Sequence, residues 1–239
     1  MIGCDCAVCK SPDPRDQRLR TSILISIDDK NIGVDAGPDF RQQMLRAGVT
    51  DLEAILVTHQ HNDHIIGLDD VRPFNFKHRK SIPIYATELV QEELKKRFSY
   101  AFDLDPYPGA PRLELVQIDK DTPIKLAGEK IIPIEVLHGE LPVMGFRLRD
   151  FTYLTDMNAI SEAELQKVLG SKTLVLDALH HSEHHSHFNL AQAVELATTI
   201  AADTTYFIHA SHRMGLHAEI EKDLPTGMHL AYDRLSFSI

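Results

Sequence analysis

No stretch of the sequence reaches the roughly 18 consecutive apolar residues of a membrane span, and the first residues lack the charged-then-apolar pattern of a signal peptide. A soluble, cytoplasmic protein with no membrane partner is therefore expected. Long runs of one charge sign are also missing, which leaves no candidate for a disordered tail or polybasic arm. With a formal net charge of -10, non-specific binding to nucleic acid is not expected, although bound divalent cations would make the particle less acidic. Cysteine is scarce: Cys4, Cys6 and Cys9 are the only three. An odd number cannot pair fully within one chain, and thiolates this close together in a reducing compartment suit zinc better than a disulfide.

What is present suits one large domain covering residues 1–239, because 43% hydrophobic content over that length can build a sizeable core. No internal repeat or linker interrupts it. Short apolar runs alternate with helical patterns. Residues 22–27 and 31–35 read as a hairpin turning at Asp28, Asp29 and Lys30. Further strands are expected at 53–58, 82–86, 113–118, 131–137, 144–148, 151–155, 173–177 and 204–209. Helices are expected at 39–47, from the Thr87 cap to Phe98, after the Ser161/Glu164 capping box as far as Gly170, at 189–202 and at 216–224. The three prolines between Asp105 and Pro111 force a loop. Hairpin-rich halves interleaved with helices suggest an α/β (α+β) fold, a four-layer αββα sandwich with two mixed sheets face to face.

The segment "ILVTHQHNDHIIGLDD", residues 55–70, sets three histidines and an aspartate directly after an apolar strand. Once the chain turns, His59, His61 and Asp63 at alternate positions can point one way while Ile65 and Ile66 start a helix packed inward. Together with His64 they then converge beyond the carboxyl end of the strand, where ligands sit in layered α/β folds. Imidazole with carboxylate favours zinc, manganese or iron over calcium, and four such ligands exceed what one tetrahedral ion with an open position uses. A two-metal site is implied. The competing reading, a solvated loop whose histidines share no task, requires these ligand types to have clustered by chance.

The pattern His59-x-His61-x-Asp63-His64 resembles the signature of the metallo-β-lactamase-fold hydrolases, and the resemblance extends to His138 in "IEVLHG", Asp156 in "YLTDMN" and His209 in "YFIHAS". It implies two divalent cations, zinc or manganese. His59, His61 and His138 would hold one, Asp63, His64 and His209 the other, and Asp156 would bridge them. Asp35 in "DAG" would orient ligand histidines rather than bind metal. The segments "GCDCAVC", "RLRTS", "DAGPDFR" and "HASH" are similar to the PhnP-like branch, which contains phosphoribosyl cyclic phosphate phosphodiesterases. That branch implies a separate structural zinc on Cys4, Cys6, Cys9 and His212. One departure is the start: only Met1-Ile2-Gly3 stands where the family has a strand and a glycine-rich loop. Either the start is truncated or the fold manages without that strand; a missing strand would leave an open sheet edge, so reduced stability or a homodimer contact is expected there.

Five histidines crowd into "HHSEHHSH", residues 180–187, and most are expected to be solvated loop residues. His187 is the exception, since its position resembles that of the histidine that contacts the reacting phosphate in the phosphodiesterase branch. Proton donation to a leaving oxygen suits a group with pKa near neutrality; the bland alternative is a hydrogen bond to the helix start. The short basic run from Lys77 to Lys80 reads as a solvated turn. The resemblance implies attack of a metal-bridging hydroxide on a small, cyclic or linear phosphodiester, with His187 and Asp63 as catalytic residues. Two rivals remain: a tRNase-Z-like nuclease, for which the sequence lacks a basic arm, and a non-catalytic metal-dependent sensor of nucleotide or phosphate.

Overall fold

The computed structural model describes residues 1–239 and divides them into two compact units, Arg20–Thr122 and a second made of Met1–Leu19 with Pro123–Ile239. The first carries a five-stranded mixed sheet in the order β1 (Ile23–Ile27), β2 (Lys30–Val34), β3 (Ala54–Leu56), β4 (Ile82–Ala86) and β5 (Leu113–Gln117). Only the β1–β2 pair is antiparallel. Its turn is tighter than the sequence suggested: Lys30 pairs with Ile27, leaving Asp28 and Asp29 as the two turn residues, with Asp28 at φ 50°. Strand β1 forms one end of this sheet.

All three residues of β3 are buried, which explains its unbroken apolar pattern. Phe40, Met44, Ile65, Leu68, Val71, Val90 and Leu94, on helical segments, join Ile55, Ile82 and Ile84 in one aliphatic core. The helix Phe40–Ala47 stops at Gly48, whose φ of +64° is the left-handed conformation that closes helices. Thr87 precedes the helix Glu88–Arg97 but makes no side-chain cap, and a separate short turn of helix, Ser99–Phe102, follows before the proline-rich loop. The basic run is tied down: Lys77 Nζ and His78 Nε2 each lie 2.9 Å from the Thr50 carbonyl, and Lys80 Nζ is 3.1 Å from Asp51.

The second unit holds an eight-stranded mixed sheet. Its strands are β6 (Ile124–Leu126), β7 (Glu129–His138), β8 (Leu141–Leu148), β9 (Phe151–Leu154), β10 (Ala159–Ile160), β11 (Thr173–Asp177), β12 (Thr204–Ile208) and β13 (Met228–Leu230). The order is β10-β7-β8-β9-β11-β12-β13, with β6 also paired to β7. Strands β9, β11, β12 and β13 run parallel, so their carboxyl ends share one edge. The helix Leu190–Ile200 carries the expected capping box, Asn189 accepting from the Gln192 amide and Gln192 accepting in return. At Ser161 only half of the box forms: its hydroxyl accepts from the Glu164 amide, while the Glu164 carboxylate turns to the Glu135 amide and Lys167. Phe207, Leu174, Leu176, Ala193, Ala197 and Val168 centre this unit's own core.

Candidate functional site

In the first unit the chain leaves β3 through Val57 and Thr58 and reaches His59, which is fully buried. Asp35, also fully buried just after β2, accepts from the Thr58 amide at 2.8 Å and the Thr58 hydroxyl at 2.9 Å. The hydroxyl spends its proton on Asp35, so it accepts from His59 Nδ1 at 3.0 Å, and the lone pair of His59 is left on Nε2. Asp35 also takes the Nδ1 proton of His64 at 2.7 Å, which leaves that ring's lone pair on Nε2 as well. One carboxylate therefore sets two imidazoles in the form that binds metal. Burial pushes the Asp35 carboxyl upward, opposed by His64 and the Thr58 hydrogen bonds.

His59 Nε2 lies 3.0 Å from His61 Nδ1. Two nitrogens on one tetrahedral zinc, at bond lengths of 2.0–2.1 Å, stand roughly 3.3 Å apart, so the spacing fits a shared ion. Asp63 lies in the first turn of the short helix Asn62–Ile65; its Oδ2 lies 3.9 Å from His64 Nε2 and 3.6 Å from Arg20. The expectation that Ile65 and Ile66 both pack inward holds for Ile65 alone, because one turn of helix rotates Ile66 to the surface at 42% exposure. Gly67 then passes so close to the 36–37 backbone that a Cβ there would lie 2.0 Å from the Gly37 carbonyl. That contact seats the motif against the loop carrying Asp35.

In the second unit His138 ends β7, and its Nδ1 donates to the Ser186 carbonyl at 2.7 Å, again leaving Nε2 for a ligand. Asp156 follows β9 and His209 follows β12; His209 Nε2 is 3.4 Å from Asp156 Oδ2. Side-chain donors of His138, Asp156 and His187 lie within 4.8 Å of one another. The His187 ring stacks on His209 with centroids 4.9 Å apart and meets His138 edge-on at 4.4 Å. Its Nε2 is 3.9 Å from Asp156, and its Nδ1 faces a carboxylate the sequence did not single out: Asp177 Oδ2, at 3.1 Å.

Asp177 is the last residue of β11 and fully buried. Its Oδ2 also accepts from the Met157 amide at 3.2 Å, and its Oδ1 lies 3.9 Å from His209 Nδ1. Burial pushes its pKa up to about 8, against the opposing charge of His209 and with a further rise from Asp156. His187 thus answers to Asp177 rather than to the start of the following helix, which Asn189 caps. His181 and His185 are exposed as expected, whereas His180 is buried and His184 half-buried; the loop folds back under its own Leu190 amide, which binds the His180 carbonyl.

Cys4, Cys6, Cys9 and His212 present ligand atoms within 4.8 Å of one another. His212 Nδ1 is 3.3 Å from the Cys4 sulfur and 3.5 Å from that of Cys6. Ligands on a tetrahedral zinc with bonds of 2.3 Å to sulfur and 2.0–2.1 Å to nitrogen stand roughly 3.5 Å apart, so this set fits the ion. Cys6 caps the short helix Ala7–Lys10, and the Cys9 amide, followed by His212, draws its thiol down to about 6.

With these two ligand-rich edges described, comparison with known proteins decides the family. Residues 30–210 match the model of the β-lactamase superfamily domain. The chain belongs to that superfamily. A crystal structure described as a new diphosphatase from the PhnP family is 42% identical, covers 98% of this chain and 89% of its own, and superimposes with a TM-score of 0.92. The protein is thus a PhnP-like member with the metallo-β-lactamase fold. The short form of human tRNase Z shares the fold at 16% identity and a TM-score of 0.67, covering 92% of each chain. An octanoyltransferase of Porphyromonas gingivalis is 39% identical over 236 residues, 98% of this chain but 48% of that protein. The PhnP-like chain therefore spans about half the length of that curated relative. No helix of the fold is long and apolar enough to cross a membrane.

Proposed function

We propose that the protein hydrolyses small phosphodiesters, cyclic or linear, rather than long nucleic acids. His59, His61 and His138 would hold one divalent cation, Asp63, His64 and His209 a second, and Asp156 would bridge them; Cys4, Cys6, Cys9 and His212 would hold a structural zinc. The catalytic pair, zinc or manganese, would supply a water activated at neutral pH and neutralise charge growing on phosphoryl oxygens. The observation that carries the reading is His187. It is buried among three residues of the site, with Nδ1 anchored on Asp177 and Nε2 turned toward Asp156.

A ring anchored at Nδ1 by a carboxylate has only Nε2 with which to deliver a proton, and the carboxylate stabilises its imidazolium form. Such a group assists departure of an alkoxide from phosphorus. Asp35, Ser186 and Asp177 each fix a ring orientation in advance, so little reorganisation accompanies the reaction. The likeness to a PhnP-family diphosphatase supports cleavage at phosphorus over cleavage of a lactam or lactone. The test is metal analysis combined with a screen of cyclic and linear phosphodiesters in manganese, zinc and nickel. Turnover of phosphodiesters is expected; turnover of lactones or thioesters with none of any phosphodiester would overturn it.

A further inference from the structure

The segment "RLRTS", residues 18–22, lies ahead of the first hairpin and takes no part in the function proposed above. Its Arg20 is turned toward the metal motif: Nη1 is 3.6 Å from Asp63 Oδ2, and the side chain is 59% exposed. The stem is held firmly at its base. The Arg20 amide donates to Asp39 Oδ2 at 2.8 Å, and its carbonyl accepts from Gln43 Nε2 at 2.7 Å, so the start of the helix Phe40–Ala47 fixes the backbone on both sides. Gly37 lies between this backbone and the motif. A Cβ there would stand 2.0 Å from the Asp63 carbonyl oxygen and 3.4 Å from the Arg20 Cβ, so the absence of a side chain lets the two segments meet.

The tip contrasts with the base. At 3.6 Å the contact with Asp63 is an ion pair without a hydrogen bond, and no N–H of the guanidinium has a protein acceptor at hydrogen-bond distance. Arg97, also beside the motif, spends its donors on the Gln60 carbonyl, the Asn62 side chain and Glu93. An exposed pair such as Arg20 with Asp63 adds little to stability, so holding Asp63 in place does not account for the arginine. Where a divalent cation takes the Asp63 carboxylate, as in the function proposed above, the permanent guanidinium charge loses its acidic partner and stands beside a second positive charge. An anion that meets both relieves the repulsion. A phosphodiester is such an anion, and its two non-bridging oxygens match the planar N–H fork of arginine.

We propose that Arg20 is a substrate-binding residue, donating to the non-bridging oxygens of the scissile phosphoryl group. The inference rests on the phosphodiesterase reading and adds to it a residue outside the metal ligands and His187. The anchored base keeps the stem beside Asp63 before substrate arrives, so only the exposed tip has to turn onto the phosphoryl oxygens. An uncharged lactone or thioester brings no anionic oxygen to this fork, so Arg20 favours phosphoryl substrates over carbonyl ones.

The test measures binding of inorganic phosphate by calorimetry to the metal-loaded wild type, Arg20→Ala, Arg20→Gln and Arg20→Lys, with metal content determined on the same samples, together with kcat and KM on bis(p-nitrophenyl) phosphate. Loss of the guanidinium should raise the Kd for phosphate and the KM for the diester tenfold or more at unchanged metal content. Lysine, which keeps the charge but not the fork, should recover part of the loss. Glutamine keeps most of the stem and serves in place of alanine if that variant does not fold. Phosphate affinity and KM within threefold of wild type in the uncharged variants overturn the assignment. So does a fall in metal content that accounts for the whole loss, since Arg20 would then act only by holding Asp63. A wild type that is fully metal-loaded yet turns over no phosphodiester overturns the phosphodiesterase reading, and this inference with it.

Discussion

Replacing Asp177 by asparagine probes the buried carboxylate behind His187. Asp177 Oδ2 receives the Met157 amide at 3.2 Å and faces His187 Nδ1 at 3.1 Å. Burial favours its protonated form, with a pKa of about 8, but the atom that faces His187 already accepts an amide proton. A protonated His187 and divalent cations at Asp156 and His209 would favour the ionised carboxylate, which is the working form. A hydrogen bond between charged partners contributes about 1.5–3 kcal/mol net. If it stabilises the imidazolium that protonates the leaving oxygen, its loss lowers kcat by about 10- to 150-fold, at ~1.4 kcal/mol per factor of ten.

The same loss makes the protonated His187 ring less stable. Activity requires the protonated ring, so the alkaline fall in kcat should move to lower pH in Asp177→Asn. The assay is kcat against pH for wild type and variant on the best phosphodiester from the screen, with metal content measured on the same samples. Because Asp177 Oδ1 also lies 3.9 Å from His209 Nδ1, the metal measurement separates loss of a cation from loss of proton delivery. A variant whose profile superimposes on that of wild type, with kcat within threefold and full metal content, would refute the role assigned to the pair.

Asp35→Asn removes the charge that orients both His59 and His64, and metal retention against a chelator should weaken by about 10- to 100-fold; unchanged retention would show that the two rings keep their orientation without it. Cys6→Ser should reduce bound zinc by one ion per chain and lower the melting temperature, while a variant with unchanged zinc would remove the Cys3His assignment. Tyr100, held up to about 12 by burial and then by its hydrogen bond to Asp69, should ionise well above the ordinary tyrosine range in an absorbance titration, and Tyr100→Phe should delete that step. Its folded pKa lies above the unfolded value of 10.0, so this contact contributes to stability below pH 10 and is lost as pH rises through 12.

Much of this was legible from residue order because strand ends announce themselves. Each of His138, Asp156 and His209 closes an apolar run, and β11 begins and ends where its pattern does. Strands lying partly outside the apolar pattern were missed: β6 is three residues long, β10 is two, and β13 carries His229 between Met228 and Leu230. Asp177 escaped notice for a different reason. A lone aspartate at a strand end has the same sequence appearance whether it meets solvent or a histidine ten residues later. The histidine run misled in the opposite sense, since polar composition suggested solvent, yet the loop turns back and buries His180.

Backbone conformation is the feature that the residue order conceals most completely. Nine non-glycine residues have positive φ, and six of them sit where a turn or helix end demands it: Asp28, Arg79, Ala127, Arg149, Ala201 and Arg234. The other three are Asp35, Asp156 and His209, at φ 64°, 50° and 58°, each within two residues of a strand end. The left-handed conformation costs a residue with a side chain roughly 1–2 kcal/mol, with aspartate the more tolerant type. Glycine would remove the strain at each place but also the carboxylate or imidazole. The fold therefore retains it where the chain must turn sharply off a sheet and still aim a functional group back across the strand ends. The strands hold these positions rigidly on one side, which is why two aspartates and a histidine can be kept in a conformation that a free loop would abandon.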